Sequence, residues 1–204
     1  AWIALVPLIL VARSSTPGAA FRWGMVYGLA FWIPALAWLS ALSDKGIPFL
    51  VANLLWLCLA AYCALYVAAF AMTASGLFAV LDDGSSPRGI GITLCLPLLW
   101  IGFERLKAHL FSGFPWNELG VSQALSGNTF CIAACQAAEW GGVYAVSGLI
   151  VLVNAGLAMT IAKPGGVVVS GVRYRFHPEL ATALILAAIA IAYGRNVSSG
   201  MASS

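Results

Sequence analysis

Residues 104–123, which we call the central segment, hold the densest group of side chains that could do chemistry. The segment reads ERLKAHLFSGFPWNELGVSQ and lies between two long apolar runs. It contains two of the seven acidic residues, two of the ten basic residues and one of the two histidines. Its glycines and proline make the backbone irregular, and such a backbone leaves N–H and C=O groups unpaired in hydrocarbon. We therefore expect the central segment at a membrane surface or in a protein-lined cavity.

The charges at the start of the central segment have two interpretations. Glu104, Arg105 and Lys107 are expected at a helix end, where long side chains snorkel to the lipid headgroups. In the second interpretation they hold a lipid headgroup or brace a docked domain, which makes Glu104 and Arg105 candidate binding residues. His109 has a side chain that titrates near neutral pH, but it has no partner at metal-ligand spacing, so we interpret it as an interfacial residue.

The aromatic turn that follows also has two interpretations. Phe111, Phe114 and Trp116 are typical of the aromatic belt at a membrane interface. Gly113 and Pro115 make the backbone irregular at the same depth, and this combination favours a site of lateral access for a lipid chain. Phe114, Pro115 and Trp116 are therefore candidate substrate-binding residues.

Two more polar residues are candidates for substrate binding. Gln123 ends the polar exit of the central segment. Glu139 lies inside a predicted span, in the sequence QAAEWGGVYAVS, where a charge costs about 2.5–3.5 kcal/mol at mid-membrane. Because Glu139 is only a turn or two from the end of that span, a structural and a functional role both remain open.

No catalytic residue, metal site or cofactor is predicted. The five cysteines are Cys58, Cys63, Cys95, Cys131 and Cys135. They lie in or beside apolar runs, where a thiolate is disfavoured, and none forms a Cys-x-x-Cys pair. Ser112 is near His109 in the sequence but lacks the context of a nucleophile elbow.

The composition indicates an integral membrane protein. Hydrophobic residues make up 62% of the 204 residues and charged residues 8%, whereas soluble domains carry about 25% charged residues. The net charge of +3 is dispersed and forms no dense Lys/Arg cluster, so nucleic acid is excluded as a partner.

The apolar runs predict an all-α polytopic bundle of about six transmembrane segments. These are residues 1–12, 21–42, 49–81, 90–103, 131–162 and 180–193. Pro34 is expected to kink the second segment, and Gly24 and Gly28 have the small-xxx-small spacing of closely packed helices. We assign residues 1–197 to the transmembrane domain and residues 198–204 to a polar tail, with residues 167–170 extended in a loop.

The positive-inside rule predicts the orientation of this bundle. One set of alternate loops holds six basic residues: Arg13, Arg22, Arg88, Lys163, Arg173 and Arg175. The other set holds four: Lys45, Arg105, Lys107 and Arg195. The first set is therefore predicted to be cytoplasmic, which places the central segment and the C-terminal tail together on the opposite side.

The central segment resembles the signature of the apolipoprotein N-acyltransferases. Trp100, the pair Glu104–Arg105, the block GFPW at residues 113–116 and the motif GVSQ at residues 120–123 occur in the family's order. Residues 136–154, with GGVY and a terminal Asn154, are similar to the family's next helix. The opening AWIALVPLIL and the pattern of Gly24, Gly28 and Trp38 fit its early helices.

The resemblance implies a bacterial inner-membrane enzyme, with the central segment and the tail in the periplasm. That enzyme moves an acyl chain from a phospholipid to the N-terminal amine of a diacylglyceryl lipoprotein, through a thioester on a cysteine. Its catalytic Glu, Lys and Cys belong to a nitrilase-like domain, which would be separate or missing here because the sequence ends where that domain should begin. The segments before residue 1 and after that domain are also expected to be absent, and the chain alone is expected to be inactive.

Two functions from different classes follow from these observations. The first is the membrane domain of an apolipoprotein N-acyltransferase, which positions the phospholipid donor and the lipoprotein acceptor. The alternative is a non-catalytic membrane subunit that binds lipid or a partner within a larger assembly. A small transporter is disfavoured, since the sequence shows neither paired intramembrane charges nor broken-helix repeats.

Overall fold

The long apolar runs of the sequence form helices, because a helix pairs its backbone N–H and C=O groups internally. A computed structural model describes residues 1–82, 85–124, 128–162, 167–169, 172–174 and 177–202. Its α-helices are α1 (Val6–Ser14), α2 (Pro17–Ala35), α3 (Phe49–Leu81), α4 (Ser86–His109), α5 (Val121–Ala124), α6 (Thr129–Cys135), α7 (Ala138–Gly141), α8 (Val143–Ala162) and α9 (Pro178–Ala202). Two 3₁₀ helices, Ala37–Lys45 and Leu110–Ser112, follow α2 and α4. Strands β1 (Val167–Val169) and β2 (Val172–Tyr174) pair antiparallel, with Val168 opposite Arg173.

The protein is an all-α integral membrane protein with four or five candidate spans among the described residues. Helices α3, α4, α8 and α9 are each long and apolar enough to cross a membrane. Helix α2 and the following 3₁₀ helix form a fifth span if the pair, bent by 43°, is counted as one. Pro34 lies in the last turn of α2, which accords with the predicted kink. The predicted number of about six is not confirmed, because α1 has nine residues and rises only about 14 Å.

Helices α2 and α3 pack at close range through small residues. A Cβ atom on Gly24 would lie 2.7 Å from Ala68 Cα, and one on Gly28 would lie 2.8 Å from Ala64 Cα. A side chain at either position would clash with α3, so the close helix approach predicted from the glycine spacing is confirmed.

Asn154 ties the start of α1 to the middle of α8. Its side chain is fully buried. Its Oδ1 accepts a hydrogen bond from Leu5 N at 2.9 Å, and its Nδ2 donates to Ala1 O at 3.1 Å and to Ile150 O at 2.8 Å. These bonds pair backbone groups of residues 1–5, which would otherwise lack partners next to an apolar core.

The predicted helical run over residues 131–162 is wrong as a single helix. It divides into α6, α7 and α8, and Gly142 lies between α7 and α8 with a φ of 64°. Glu139 consequently lies in the short helix α7, before α8 begins, and not inside a span. At the start of α6, Asn128 caps the helix, because its Oδ1 accepts a hydrogen bond from Phe130 N at 2.9 Å.

Helices α4 and α9 are longer than the sequence predicted. Helix α9 continues to Ala202, into the predicted polar tail. Helix α4 starts at Ser86 and ends at His109, so that residues 104–109 are helical. Strand β1 includes three of the four residues predicted to be extended, while Ser170 and the basic residues Lys163 and Arg175 lie outside the described residues.

Candidate functional site

The last turns of α4 place three polar side chains on one face of the helix. Trp100, Glu104 and Lys107 are spaced by four and three residues, which is the spacing of neighbours on a helix surface. This face points into the bundle, since Glu104 is only 6% exposed and Lys107 only 4% exposed. The opposite side of the same turns carries Arg105 and Leu106, both exposed.

A cavity of about 110 Å³ lies against this face of α4. Its wall is formed by residues 4–5 before α1, by α2, α3 and α4, and by Asn117 and Leu119 of the central segment. The aromatic residues of the wall are Tyr27, Phe31, Trp32, Tyr66, Trp100 and Phe103. Glu104 and Lys107 are the charged residues among these apolar and aromatic groups, a composition typical of small-molecule sites.

Glu104 uses one of its carboxylate oxygens to hold the central segment. Oε1 accepts a hydrogen bond from Leu119 N at 2.8 Å. The Ser147 hydroxyl and the Trp100 indole lie beside the carboxylate. Within the described residues, however, Glu104 Oε2 and Trp100 Nε1 are both buried without a partner in hydrogen-bonding geometry.

Lys107 holds the same segment from the next turn of α4. Its Nζ donates a hydrogen bond to Trp116 O at 2.5 Å and lies 4.6 Å from the ring centroid of Trp32. That position gives a favourable cation–π contact. The predicted snorkelling is therefore wrong for Glu104 and Lys107, because α4 continues past Phe103 and turns both side chains inward, where they bond to the backbone of Leu119 and Trp116.

The irregular backbone of the central segment is supported by protein groups. Phe114 N donates to Lys107 O at 2.9 Å, and Trp116 N donates to Phe114 O at 2.8 Å. The turn uses three positive φ values, at Phe111, Gly113 and Asn117. Helix α4 and the turn itself thus supply the partners that hydrocarbon cannot offer.

The aromatic residues of the central segment form a stack at the surface. Phe114 packs against the buried cluster that contains Trp32 and Leu36. The ring of Trp116 lies 6.2 Å from the ring of Phe114 and 5.9 Å from that of Trp38, and Trp116 is 47% exposed. Pro115, between them, is also exposed. None of the three candidate residues at positions 114–116 lines the cavity. They lie beside it, because Phe114 packs against the cluster of Trp32, which does line the cavity.

Arg105 lies on the outer side of α4, away from the cavity. Its guanidinium carbon is 5.3 Å from the ring centroid of Tyr144 on α8, which is a cation–π contact. Together with His109, it borders a shallow surface depression at the end of α4. The side chain of Arg105 therefore remains available at the surface, whereas Glu104 does not.

The other two candidate residues lie elsewhere. Gln123 is buried, and its Oε1 accepts a hydrogen bond from Trp2 Nε1 at 2.9 Å. Glu139 is exposed, and its Oε2 accepts a hydrogen bond from Tyr193 OH at 2.6 Å. Neither residue lines the cavity, so the structure brings Glu104 to the cavity but leaves Gln123 and Glu139 outside it.

The described residues offer no prepared nucleophile. Cys63 lines the cavity but is fully buried. Within the described residues, no hydrogen bond joins its thiol to a base. The pKa of the Cys135 thiol is raised above its ordinary value, mainly by burial and to a smaller extent by the neighbouring Cys131. In the described part of the chain, no three His, Cys, Asp or Glu side chains come together to hold a metal ion.

Of the described residues that line the cavity, Glu104 alone was among the predicted binding residues, and its neighbours on α4, Lys107 and Trp100, were not. Lys107 was interpreted as an interfacial charge, and Trp100 was noted only as part of a motif. The signal that could have found them is their spacing with Glu104, which places all three on one face once α4 is extended to His109.

Fold and site together define a multi-pass helical membrane protein with a largely apolar cavity beneath a folded, aromatic segment. Residues 1–156 match the family model described as the apolipoprotein N-acyltransferase N-terminal domain. The chain belongs to the apolipoprotein N-acyltransferase family.

Curated relatives agree with this assignment. The apolipoprotein N-acyltransferase of Geobacter metallireducens is 36% identical over 156 residues, which cover 76% of this chain and 27% of that protein. That of Chromobacterium violaceum is 32% identical over 200 residues, which cover 95% of this chain and 34% of that protein. The chain therefore spans about a quarter to a third of the length of these relatives.

Proposed function

We propose that this chain is the membrane part of an apolipoprotein N-acyltransferase. In this role it positions a phospholipid, which donates the acyl chain, and a diacylglyceryl lipoprotein, whose N-terminal amine accepts it. The proposal places the chain in the bacterial inner membrane, with the central segment and the end of α9 on the periplasmic side. Family membership supports the reaction class, and the geometry of the cavity supports the positioning role.

The single observation that carries the positioning role is the cavity beneath the central segment. Charged residues within membrane spans are rare, and they face the interior where substrates or ions are handled. Glu104 and Lys107 fit this description, because they line a cavity whose other walls are apolar and aromatic. A lipid has the matching chemistry, since it joins a polar headgroup to apolar chains.

A membrane domain that only positions two membrane-bound substrates still accelerates the reaction between them. Holding two reactants in a productive geometry converts an encounter between them into an effectively unimolecular step. In this proposal Phe114, Pro115 and Trp116 border the lateral access to the cavity, and Glu104 keeps their segment in place. Arg105 and Glu139 lie on exposed surface at the same end of the bundle and are available to headgroups or to a docked domain.

We assign the covalent chemistry to groups outside the described residues. The resemblance places the Glu, Lys and Cys of the reaction in a nitrilase-like domain, and within the described residues Cys63 makes no hydrogen bond to a base. The purified chain in lipid nanodiscs should therefore bind substrates without acylating a lipopeptide. Acyl transfer by the chain on its own would show that this division of roles is wrong.

Photo-crosslinking with a phospholipid tests the positioning role. The chain is placed in nanodiscs with a phospholipid that carries a photoreactive group near its headgroup, and the labelled peptides are mapped. We expect labels on residues that line the cavity and on residues 114–117. Val67→Phe, which narrows the cavity from α3, should reduce this labelling.

Val80→Phe is the matched control, because Val80 is on the same helix and is 79% exposed. The Val80→Phe variant should be labelled by the phospholipid to the same extent as the unchanged chain. If labels spread evenly over the lipid-facing surface, or if both variants behave alike, the cavity does not position phospholipid. A diacylglyceryl lipopeptide that fails to compete for labelling would leave phospholipid binding intact and remove the acceptor from the proposal.

A further inference from the structure

Two cysteines lie one helical turn apart on the short helix α6. Cys131 and Cys135 are separated by four positions, a spacing that places side chains on the same face of a helix with their Cβ atoms about 5–6 Å apart. Both thiols are free and partly exposed. The pair therefore presents two soft sulfur ligands side by side on the surface of the protein.

Contacts at both ends of α6 hold this helix in place. Its inner face is buried at Ala133 and Ala134, and a Cβ atom on Gly194 of α9 would collide with Ala133 O. The first turn is capped by Asn128. None of the candidate spans includes α6, so ions can reach its outer flank from the aqueous phase. A helix fixed in this way keeps two ligands at a constant separation before any ion binds.

The separation of the two cysteines disfavours a direct bond between their sulfur atoms. A disulfide requires Cβ atoms about 3.5–4.5 Å apart, which is closer than a regular helix brings residues of this spacing. An ion between the two sulfurs spans the wider gap, because each bond from a metal to a thiolate adds about 2.3 Å. The geometry of α6 therefore favours a bridging metal ion over a disulfide.

The number of ligands decides which metal ion fits. Thiolates select soft ions, of which Cu(I) and Zn²⁺ are the common ones in proteins. Structural Zn²⁺ sites take four ligands, whereas in the described part of the chain no group of three His, Cys, Asp or Glu side chains forms. Cu(I) is satisfied by two thiolates in a linear arrangement. We propose that Cys131 and Cys135 form a two-coordinate site for Cu(I), and that each thiol releases its proton when the ion binds.

Competition for Cu(I) with a chromophoric chelator tests this site. The chain in detergent micelles, reduced and kept free of oxygen, is titrated into the Cu(I) complex of bathocuproine disulfonate. We expect the chain to withdraw Cu(I) from the chelator and to gain sulfur-to-copper absorption in the near ultraviolet. Cys131→Ser and Cys135→Ser should each weaken binding by at least about 100-fold, since losing a group that only orients a metal ligand already costs about 10–100-fold.

Two kinds of control separate the pair from cysteines in general. Cys58→Ser and Cys95→Ser remove the two other exposed thiols and should leave Cu(I) affinity unchanged. The double variant Cys131→Ser with Thr129→Cys keeps five cysteines but moves one thiol to a different face of α6, so it should bind as weakly as Cys131→Ser alone. Thermal unfolding without copper checks that each variant is folded. Added Cu(I) should raise the Tm of the unchanged chain only.

Several results would overturn the copper site. The unchanged chain may take no Cu(I) from the chelator, or either serine variant or the double variant may keep its affinity; in each case the pair is not the site. Zn²⁺ that binds as tightly as Cu(I) contradicts the two-coordinate assignment. A disulfide between Cys131 and Cys135 in the isolated chain contradicts the spacing argument. Phospholipid crosslinking is expected to be the same in Cys131→Ser as in the unchanged chain, so the copper site and the proposed function are tested separately.

Discussion

At the scale of single residues, Glu104 and Lys107 hold the central segment through its backbone. Their hydrogen bonds reach Leu119 N and Trp116 O, two backbone groups of an irregular stretch at membrane depth. Charges buried among aromatic rings are costly unless they are compensated. Compensation here comes from backbone partners and from the ring of Trp32, so each charge is tied to the conformation of the segment.

Replacing Lys107 should loosen the central segment. Lys107→Met keeps the length of the side chain but removes both the bond to Trp116 O and the cation–π contact. We expect a loss of about 1–3 kcal/mol in the free energy of unfolding, and faster hydrogen exchange at residues 114–119. Lys45→Met changes an exposed lysine, so it should leave the free energy of unfolding and the hydrogen exchange of residues 114–119 unchanged. Equal exchange rates in the two variants would show that Lys107 does not hold the segment.

Gly113 permits the turn between α4 and the aromatic residues Phe114 and Trp116. Its φ is 77°, and a Cβ atom would lie 2.0 Å from Ala108 O. Gly113→Ala should therefore lower the free energy of unfolding by about 1–3 kcal/mol. Gly102→Ala on α4 meets nothing within 4 Å and should raise it by up to about 1 kcal/mol. Thermal unfolding in a lipid-containing detergent measures both, and a neutral Gly113→Ala would contradict the assigned strain.

At the scale of helices, the α2–α3 pair determines the width of the cavity. Gly28 lies against Ala64 on α3 and also lines the cavity. Close approach of these two helices therefore brings the aromatic residues of α2 to the wall opposite α4. Any side chain larger than hydrogen at position 28 must separate the helices.

Gly28→Ala should weaken this helix pair. The added methyl group would meet Ala64 Cα at 2.8 Å, and overpacking of this kind costs about 1–3 kcal/mol. Unfolding of the chain in detergent micelles provides the measurement. The matched control is Gly76→Ala on α3, where a Cβ atom meets nothing within 4 Å. If Gly28→Ala is as stable as the control variant, α2 accommodates the methyl group without a loss of stability, and the close contact with Ala64 does not limit the helix pair.

At the scale of the whole molecule, polar contacts hold together the two ends of the bundle. At one end, Arg13 Nε lies 2.7 Å from Asp82 Oδ2, which links the ends of α1 and α3. At the other end, Glu139 bonds to Tyr193. Since the spans alternate in direction, the central segment and the C-terminal half of α9 lie at this second end. The side of the membrane that it faces stays a prediction from the basic residues.

Thiol labelling of whole bacterial cells tests that orientation. The five native cysteines are replaced by alanine, and single cysteines are placed at the exposed positions Asn117, Lys45 and Thr16. A membrane-impermeant maleimide should label Asn117→Cys and Lys45→Cys from the periplasm. Thr16→Cys should react only after the cells are opened. The reverse pattern would place the cavity on the cytoplasmic side and contradict the proposed topology.

The sequence by itself determined the class of the protein and most of its helices. The low share of charged residues indicated a membrane bundle, the spacing of Gly24 and Gly28 indicated close helix packing, and residues 100–123 carried the resemblance to the family. These conclusions depend on composition and local residue spacing, both of which can be read from the amino-acid sequence alone. They also identified Glu104 and residues 114–116 as candidates before any contact was known.

Only the tertiary structure decided which charges are buried. Local sequence predicts that Glu104 and Lys107 leave the hydrocarbon, because isolated charges at a helix end do so. Their burial depends on partners that lie elsewhere in the chain: Leu119 N for Glu104, and the ring of Trp32 on α2 for Lys107. The position of Trp100, Glu104 and Lys107 on one wall of the cavity depends likewise on the extension of α4 to His109. Long-range packing, which sets the solvation of each charge, therefore determined the site.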